Sequence, residues 1–256
     1  DHRDLHSFPT RRSSDLAEGS AKSVDLSSLL KLEDVWKIYQ MGEVEFAALK
    51  GVDLHISKGE FVVILGPSGS GKSTMMNLLG CLDLPSKGTV LLNGKDISRL
   101  SESELATIRG KMIGFIFQQF NLIPTLNTLE NVMLPLEFQN ADPSAAKKKA
   151  VELLDLVGLS QKARNLPSQL SGGQRQRVAI ARSLAVDPDI ILADEPTGNL
   201  DSKTGTYILD FLYGLHKKEG KTIIIVTHDV ALVRYAERVV HIKDGTVESI
   251  EEIQNN

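Results

Sequence analysis

Cysteine is almost missing from this chain. Cys81 is the only one in 256 residues, which excludes an internal disulfide and a four-cysteine zinc site and fits a reducing compartment. Long hydrophobic runs are missing too. The longest uninterrupted aliphatic or aromatic run is five residues, 61–65, far short of the ~20 needed to cross a bilayer. The chain is therefore expected not to span a membrane by itself. Neither charge dominates: 29 Lys and Arg stand against 33 Asp and Glu, for a net charge of −4. Nothing in that balance favours nucleic acid. There is no internal repeat and no low-complexity tract. What remains, 41% apolar and 24% charged residues, is the composition of an ordinary globular protein. At roughly 150 residues per domain, the length predicts one large α/β domain, or a domain with a lobe.

The first sixteen residues carry three Arg and three Asp, with no helical or strand period, and lack the apolar core of a secretory signal. They resemble translated adapter sequence more than native chain. Residues 17–29, small and polar, extend this lead-in, so 1–29 is expected to be a disordered leader. Period-2 apolar alternation begins near Leu30 and recurs at Val52, Leu54 and Ile56, which predicts strands. Residues 61–65 form a short buried strand, 71–82 a helix, and 89–92 with Asn93-Gly94 a hairpin. Ser101 and Glu104 make a capping box that opens another helix, followed by a strand at 113–117. The character then turns helical over 128–137, 145–157 and 173–185. Strand and helix alternation resumes at 190–193, 202–219, 222–226, 230–236 and 239–243. Aliphatic strands alternating with helices predict a parallel sheet covered on both faces.

Gly66-Pro67-Ser68-Gly69-Ser70-Gly71-Lys72-Ser73 fits the G-x-x-x-x-G-K-S pattern without a mismatch, between a predicted strand and a predicted helix. Glycines let backbone N–H groups converge on phosphate oxygens, and the following helix, through Thr74 and beyond, adds its positive end. Lys72 is placed to neutralise the β and γ phosphates, and the Ser73 hydroxyl to complete a magnesium shell. A second strand, 190–193, delivers Asp194 and Glu195 at its C-terminal end, where ligands bind in open α/β sheets. Asp194 is the candidate for the Mg2+ shell, and Glu195 the candidate to accept a proton from the attacking water. These residues predict a nucleoside triphosphatase.

Leu170-Ser171-Gly172-Gly173-Gln174, followed by Arg175-Gln176-Arg177, resembles the signature of ATP-binding-cassette (ABC) ATPases. Every other motif follows in that family's order over residues 30–246. The resemblance implies an α/β P-loop NTPase: a RecA-like parallel-sheet core (30–117 and 185–256), an antiparallel β region, and an inserted helical signature subdomain (118–184). It implies two protomers packed head to tail around two ATP molecules. Each γ-phosphate would lie between the glycine loop of one protomer and the signature (Ser171, Gly172, Gly173, Gln174) of the other. A helix start with free N–H donors suits that role physically. The resemblance further assigns Gln118 to the magnesium and the attacking water, with Gln119 the competing choice. It assigns Asp201 to the loop at the dimer seam and His228 to the γ-phosphate. Tyr39, 27 residues before Gly66, is assigned to stacking on adenine, with Trp36 as rival.

Within the ABC group, residues 117–124 and 194–201 look like those of macrolide-export and lipoprotein-release ATPases. That likeness implies a cytoplasmic subunit held at the inner face of the membrane by an integral permease, which residues 117–124 would face. An alternative is an ATPase that drives a cell-wall or division signalling complex through its membrane partner. A chromosome-maintenance ATPase would need a long coiled coil between the two motifs, yet Lys72 and Ser171 are only 99 residues apart. A ribosome-binding translation factor would need two cassettes in one chain.

Overall fold

The computed structural model describes residues 28–253. Of the lead-in expected over 1–29, residues 1–27 lie outside them, but 28 and 29 do not belong to a leader. Ser28 opens the first strand, and Leu29 is a core residue, only 3% exposed. Its carbonyl accepts the amide of Asn93.

Two layers of sheet organise the chain. β1 (Ser28–Met41) and β2 (Val44–Ser57) form one long antiparallel hairpin, extended by β4 (Lys87–Leu92) and β5 (Lys95–Asp96) in the order β2-β1-β4-β5. The second sheet runs β10-β9-β3-β8-β7-β6, from β3 (Phe61–Leu65), β6 (Ile113–Ile116), β7 (Ile190–Asp194), β8 (Thr222–Thr227), β9 (Arg238–Lys243) and β10 (Thr246–Glu252). Its strands pair in parallel except for β10, which closes one edge antiparallel to β9.

Alternation along the central strands explains why their sequences are continuous apolar runs. Phe61, Val63, Ile191, Ile223 and Ile225 enter one apolar cluster; Val62, Ile64, Ile190, Leu192, Ile224 and Val226 enter the other. Successive residues face opposite sides of a strand, so a strand covered on both faces must be apolar throughout. The first cluster also contains Val132, Leu153, Leu154 and Val178 from three helices: α3 (Thr128–Phe138), α4 (Pro143–Leu156) and α5 (Gly172–Ser183). The helical segment therefore shares its core with the sheet. The second cluster takes in α1 (Lys72–Leu79) and the antiparallel sheet.

Local chemistry sets the boundaries. Ser101 and Glu104 form the expected capping box at the start of α2 (Glu102–Met112), and Asn127 with Glu130 forms another on α3. α1 stops three residues before the expected Leu82, because the chain turns at Gly80 and Cys81 takes a positive φ of 54°. α6 (Ser202–Glu219) is capped by Asp201 and ends at Gly220 in the left-handed conformation. The segment expected as a full element over 230–236 is only a 3-10 turn, Val230–Tyr235, capped by Asp229 on the amide of Ala231.

Candidate active site

The loop between β3 and α1 wraps around its own lysine. Gly71 has a φ of +102°, and a Cβ there would come within 2.6 Å of the Ala48 carbonyl, so only glycine fits. Lys72 is 8% exposed, and its Nζ donates to the carbonyls of Gly66 and Pro67, each at 2.8 Å. Burial lowers its pKa, partly offset by the charges of Glu195 and Asp194. The Ser70 hydroxyl is buried without a hydrogen-bond partner. No side chain caps α1, which leaves its N-terminal donors for an anion.

A cavity of about 420 Å3 opens in front of this loop. Its walls are Ser68, Gly69, Gly71, Lys72, Ser73 and Thr74 from the loop and α1, Gln118 after β6, Asp194 and Glu195 at the end of β7, and His228 after β8. Four segments far apart in sequence thus meet at the C-terminal ends of adjacent parallel strands. The Ser73 hydroxyl donates to Asp194. Burial first, and then the Glu195 charge, push the Asp194 carboxyl above its ordinary pKa; Lys72 and the Ser73 hydrogen bond act against them. An acid raised by folding weakens the fold while ionised, and that deficit fades as pH falls through its folded pKa. Asp194→Asn is accordingly expected to raise the thermal midpoint of the nucleotide-free chain by a few degrees at neutral pH, with the gain shrinking in acid. Calorimetry showing a lower midpoint at neutral pH would contradict this balance.

Glu195 is held from all sides. Its φ is 45°, a left-handed turn costing roughly 1–3 kcal/mol for a non-glycine residue. Its amide donates to Val226 and its carbonyl accepts from Gly198. The carboxylate accepts from the Thr227 hydroxyl at 2.9 Å, the His228 amide at 3.0 Å and His228 Nδ1 at 2.6 Å. A carboxylate only accepts, so Nδ1 carries the hydrogen of that bond. Of its roughly four acceptor positions, these bonds leave one free for a water.

Gln118 lines the cavity whereas Gln119 does not, and the Gln118 carbonyl accepts from the Asn199 side chain at 2.8 Å. Tyr39 is not among the lining residues. Its hydroxyl donates to Asp83 at 3.2 Å, and the Lys37 ammonium sits 5.1 Å from its ring centroid. It faces Phe46 in the β1–β2 register, and directly opposed residues share a face of the sheet. Phe46, 51% exposed, and the small Ala48 reach the cavity from that face. Trp36 instead bonds Asp34.

The signature residues do not line the cavity. Ser171 Oγ accepts the Gln174 amide and Gln174 Oε1 accepts the Ser171 amide, a closed capping box on α5. A Cβ on Gly173 would come within 2.6 Å of Thr204 Cγ2. Thr204 in turn donates to Asp201 through its hydroxyl and its amide. Gly173 is thus required by close packing of α5 on α6, besides any ligand.

Three contributors escaped the sequence reading. Thr227 carried a signal, since it immediately precedes His228 at a strand end. Phe46 carried only strand alternation, and Thr204 none, because its role depends on how two helices approach.

Among the described residues no group of three or more His, Cys, Asp or Glu side chains could hold a metal. No helix among them is long and apolar enough to cross a membrane. Side chains that can offer a hydroxyl, a carboxylate and an amide oxygen nevertheless line the cavity together, from Ser73, Asp194 and Gln118. That sparse all-oxygen set fits Mg2+, which binds through one or two carboxylates plus substrate phosphates and water.

Comparison with known proteins gives the same assignment. A sequence model described as ABC transporter matches residues 49–198. An ABC transporter ATP-binding protein of Thermotoga maritima is 52% identical over 226 residues, 88% of this chain and 96% of its own. The macrolide export ATP-binding/permease protein MacB of Bdellovibrio bacteriovorus is 48% identical over 226 residues, but these are only 34% of its length. The dimeric ATP-binding cassette MJ0796, solved in a post-hydrolysis state with ADP and Pi, superposes with a TM-score of 0.83 at 51% identity, covering 89% of this chain and 100% of that one. With the phosphate loop, the paired carboxylates and the signature helix all present in one fold, the chain belongs to the ABC transporter family as an ATPase cassette.

Proposed function

We propose that two copies of this chain close around two Mg-ATP and hydrolyse them to drive an integral membrane permease of the macrolide-export or lipoprotein-release type. The observation that carries this reading is the separation of two half-sites. Lys72, Asp194 and Glu195 share one cavity, while the start of α5 lies outside it. A second copy can supply that helix start, and the solved relative MJ0796 is dimeric.

In this reading the loop amides and Lys72 bind the phosphates, and α1 directs its positive end at them. Ser73, Asp194 and Gln118 would hold the magnesium, whose charge would offset that of the phosphates. Glu195, oriented by Thr227 and His228, takes the proton of the attacking water at its free carboxylate position. Tyr39 and Phe46 flank the end where the base would sit, Tyr39 as the stacking ring. Ser171, Gly172, Gly173 and Gln174 of the partner close over the γ-phosphate, with Asp201 at the seam.

The permease side rests on a different face. A groove between α2 and α3 holds Thr107, Lys111, Leu134, Pro135 and Phe138, and Phe138 is 79% exposed. A second groove containing Phe117, Asn121, Leu134 and Pro135 adjoins it. An exposed aromatic with an apolar floor suits a partner's helix. Through that contact the chain would be peripheral on the inner face of the membrane.

Mixing two inactive variants tests the shared sites. Lys72→Ala and Ser171→Arg, the latter at an exposed position, are each expected to hydrolyse ATP poorly. Their mixed dimer contains one intact pairing of glycine loop with signature, so the mixture should regain about a quarter of wild-type turnover per chain, given random pairing in a two-fold dimer. Turnover no higher than the sum of the two variants alone would overturn the composite site.

A further inference from the structure

Gln176, on the second turn of α5, is 0% exposed. Its Nε2 donates to the Pro196 carbonyl at 2.8 Å. Its Oε1 is equally buried and has no hydrogen-bond partner. A wholly buried amide with half its capacity unused is costly for stability alone, so the contact it does make needs a reason. Pro196 directly follows Glu195, whose backbone turns through a positive φ and whose carbonyl is bound by Gly198. The same helix touches the far end of this loop, where Gly173 packs on Thr204 and Thr204 bonds Asp201. α5 therefore grips both ends of the segment that carries Glu195.

We propose that Gln176 is a positioning residue that ties the signature helix to the Glu195 turn of its own chain. Displacement of α5, when its N-terminus engages the nucleotide on the partner's glycine loop, moves Pro196 and with it the Glu195 carboxylate. Each protomer's base then responds to the nucleotide held by the other. Asn199 adds a second tie, from the same loop to the carbonyl of Gln118. The inference deepens the reading of Glu195 as the base, on which it rests.

The test uses the full chain carrying Gln176→Leu, which keeps most of the volume, and Gln176→Glu, which keeps the shape but cannot donate from a carboxylate. Both are expected to lower kcat about tenfold or more, the scale of a misplaced catalytic group, while ATP affinity of the single chain stays within about twofold. Gln176→Leu removes the orphaned Oε1 along with the donor but leaves the Pro196 carbonyl unpaired, so its thermal midpoint should move by no more than a few degrees. In a Glu195→Gln background, Gln176→Leu should cost nothing further in single-turnover hydrolysis, since groups acting as one unit do not add. A kcat within about twofold of wild type overturns the proposal. So does a loss in which ATP affinity falls along with kcat, or one that multiplies in the double variant. Normal hydrolysis by Glu195→Gln alone overturns the base reading and this inference with it; a dead Glu195→Gln beside a normal Gln176→Leu overturns only the inference.

Discussion

Glu195→Gln is expected to lower the hydrolysis rate by about 10^2- to 10^4-fold, the range a positioned general base contributes, while ATP binds within about twofold of wild type. The substitution is nearly isosteric, and the neighbouring donors can adapt to it. The Gln carbonyl oxygen can still accept from Thr227 or from His228, whose Nδ1 lies 2.6 Å from the native carboxylate. What disappears is the proton acceptor. The repulsion that raises Asp194 through the Glu195 charge disappears as well, which makes the cavity more hospitable to phosphate. The expected product is therefore an ATP-bound dimer that accumulates instead of turning over. Size-exclusion chromatography with ATP and Mg2+ should show it, and nucleotide extracted from that peak should be ATP. Near wild-type turnover, or a monomer peak in saturating ATP, would contradict the assignment.

How much of this was legible beforehand depended on the range of the interaction. The glycine loop, the Asp194-Glu195 pair and the capping box of Ser101 and Glu104 are local chemistry, written in neighbouring residues, and the structure has each of them on the expected element. That β3, β7 and β8 belong to a parallel sheet covered on both faces was implied by their unbroken apolar runs, though their order was not. The β1–β2 hairpin was read only in part, because several of its residues face solvent and break the apolar alternation. Contacts that join distant segments left no pattern to read. Thr204 against Gly173, Gln176 on Pro196, and Arg182 on the carbonyls of Phe120 and Asn121 each arise from how α5 lies over its neighbours. Arg182 shows the limit well: an arginine on a helix is ordinarily a solvated charge, yet here it clamps two residues with positive φ values. Leu29 fell on the wrong side of a boundary for the same reason, since only the pairing with β4 makes it interior.

Lys72→Ala tests the other half of the chemistry, and its effect should fall on binding before catalysis. Nζ is the cation that the cavity offers to the phosphates, and it is already desolvated and aimed along the loop by Gly66 and Pro67. A hydrogen bond to a charged group is worth about 1.5–3 kcal/mol, so its loss should weaken ATP affinity roughly 10- to 100-fold at about 1.4 kcal/mol per decade. Lys72→Arg should rescue little, because a planar guanidinium cannot replace a compact ammonium in a loop built around one. The nucleotide-free protein carries a second signature. Without Lys72, Asp194 and Glu195 lose the positive charge that partly offsets their mutual repulsion. Lys72→Met should therefore push the Asp194 carboxyl further above its ordinary pKa, and adding Glu195→Gln should bring it back down. Calorimetric titration with ATP reads the first effect, and a pH titration of the nucleotide-free protein followed by carboxyl NMR reads the second. Unchanged affinity would remove Lys72 from the phosphate site, and an Asp194 pKa that does not move in Lys72→Met would show that the lysine charge does not reach the carboxylate pair.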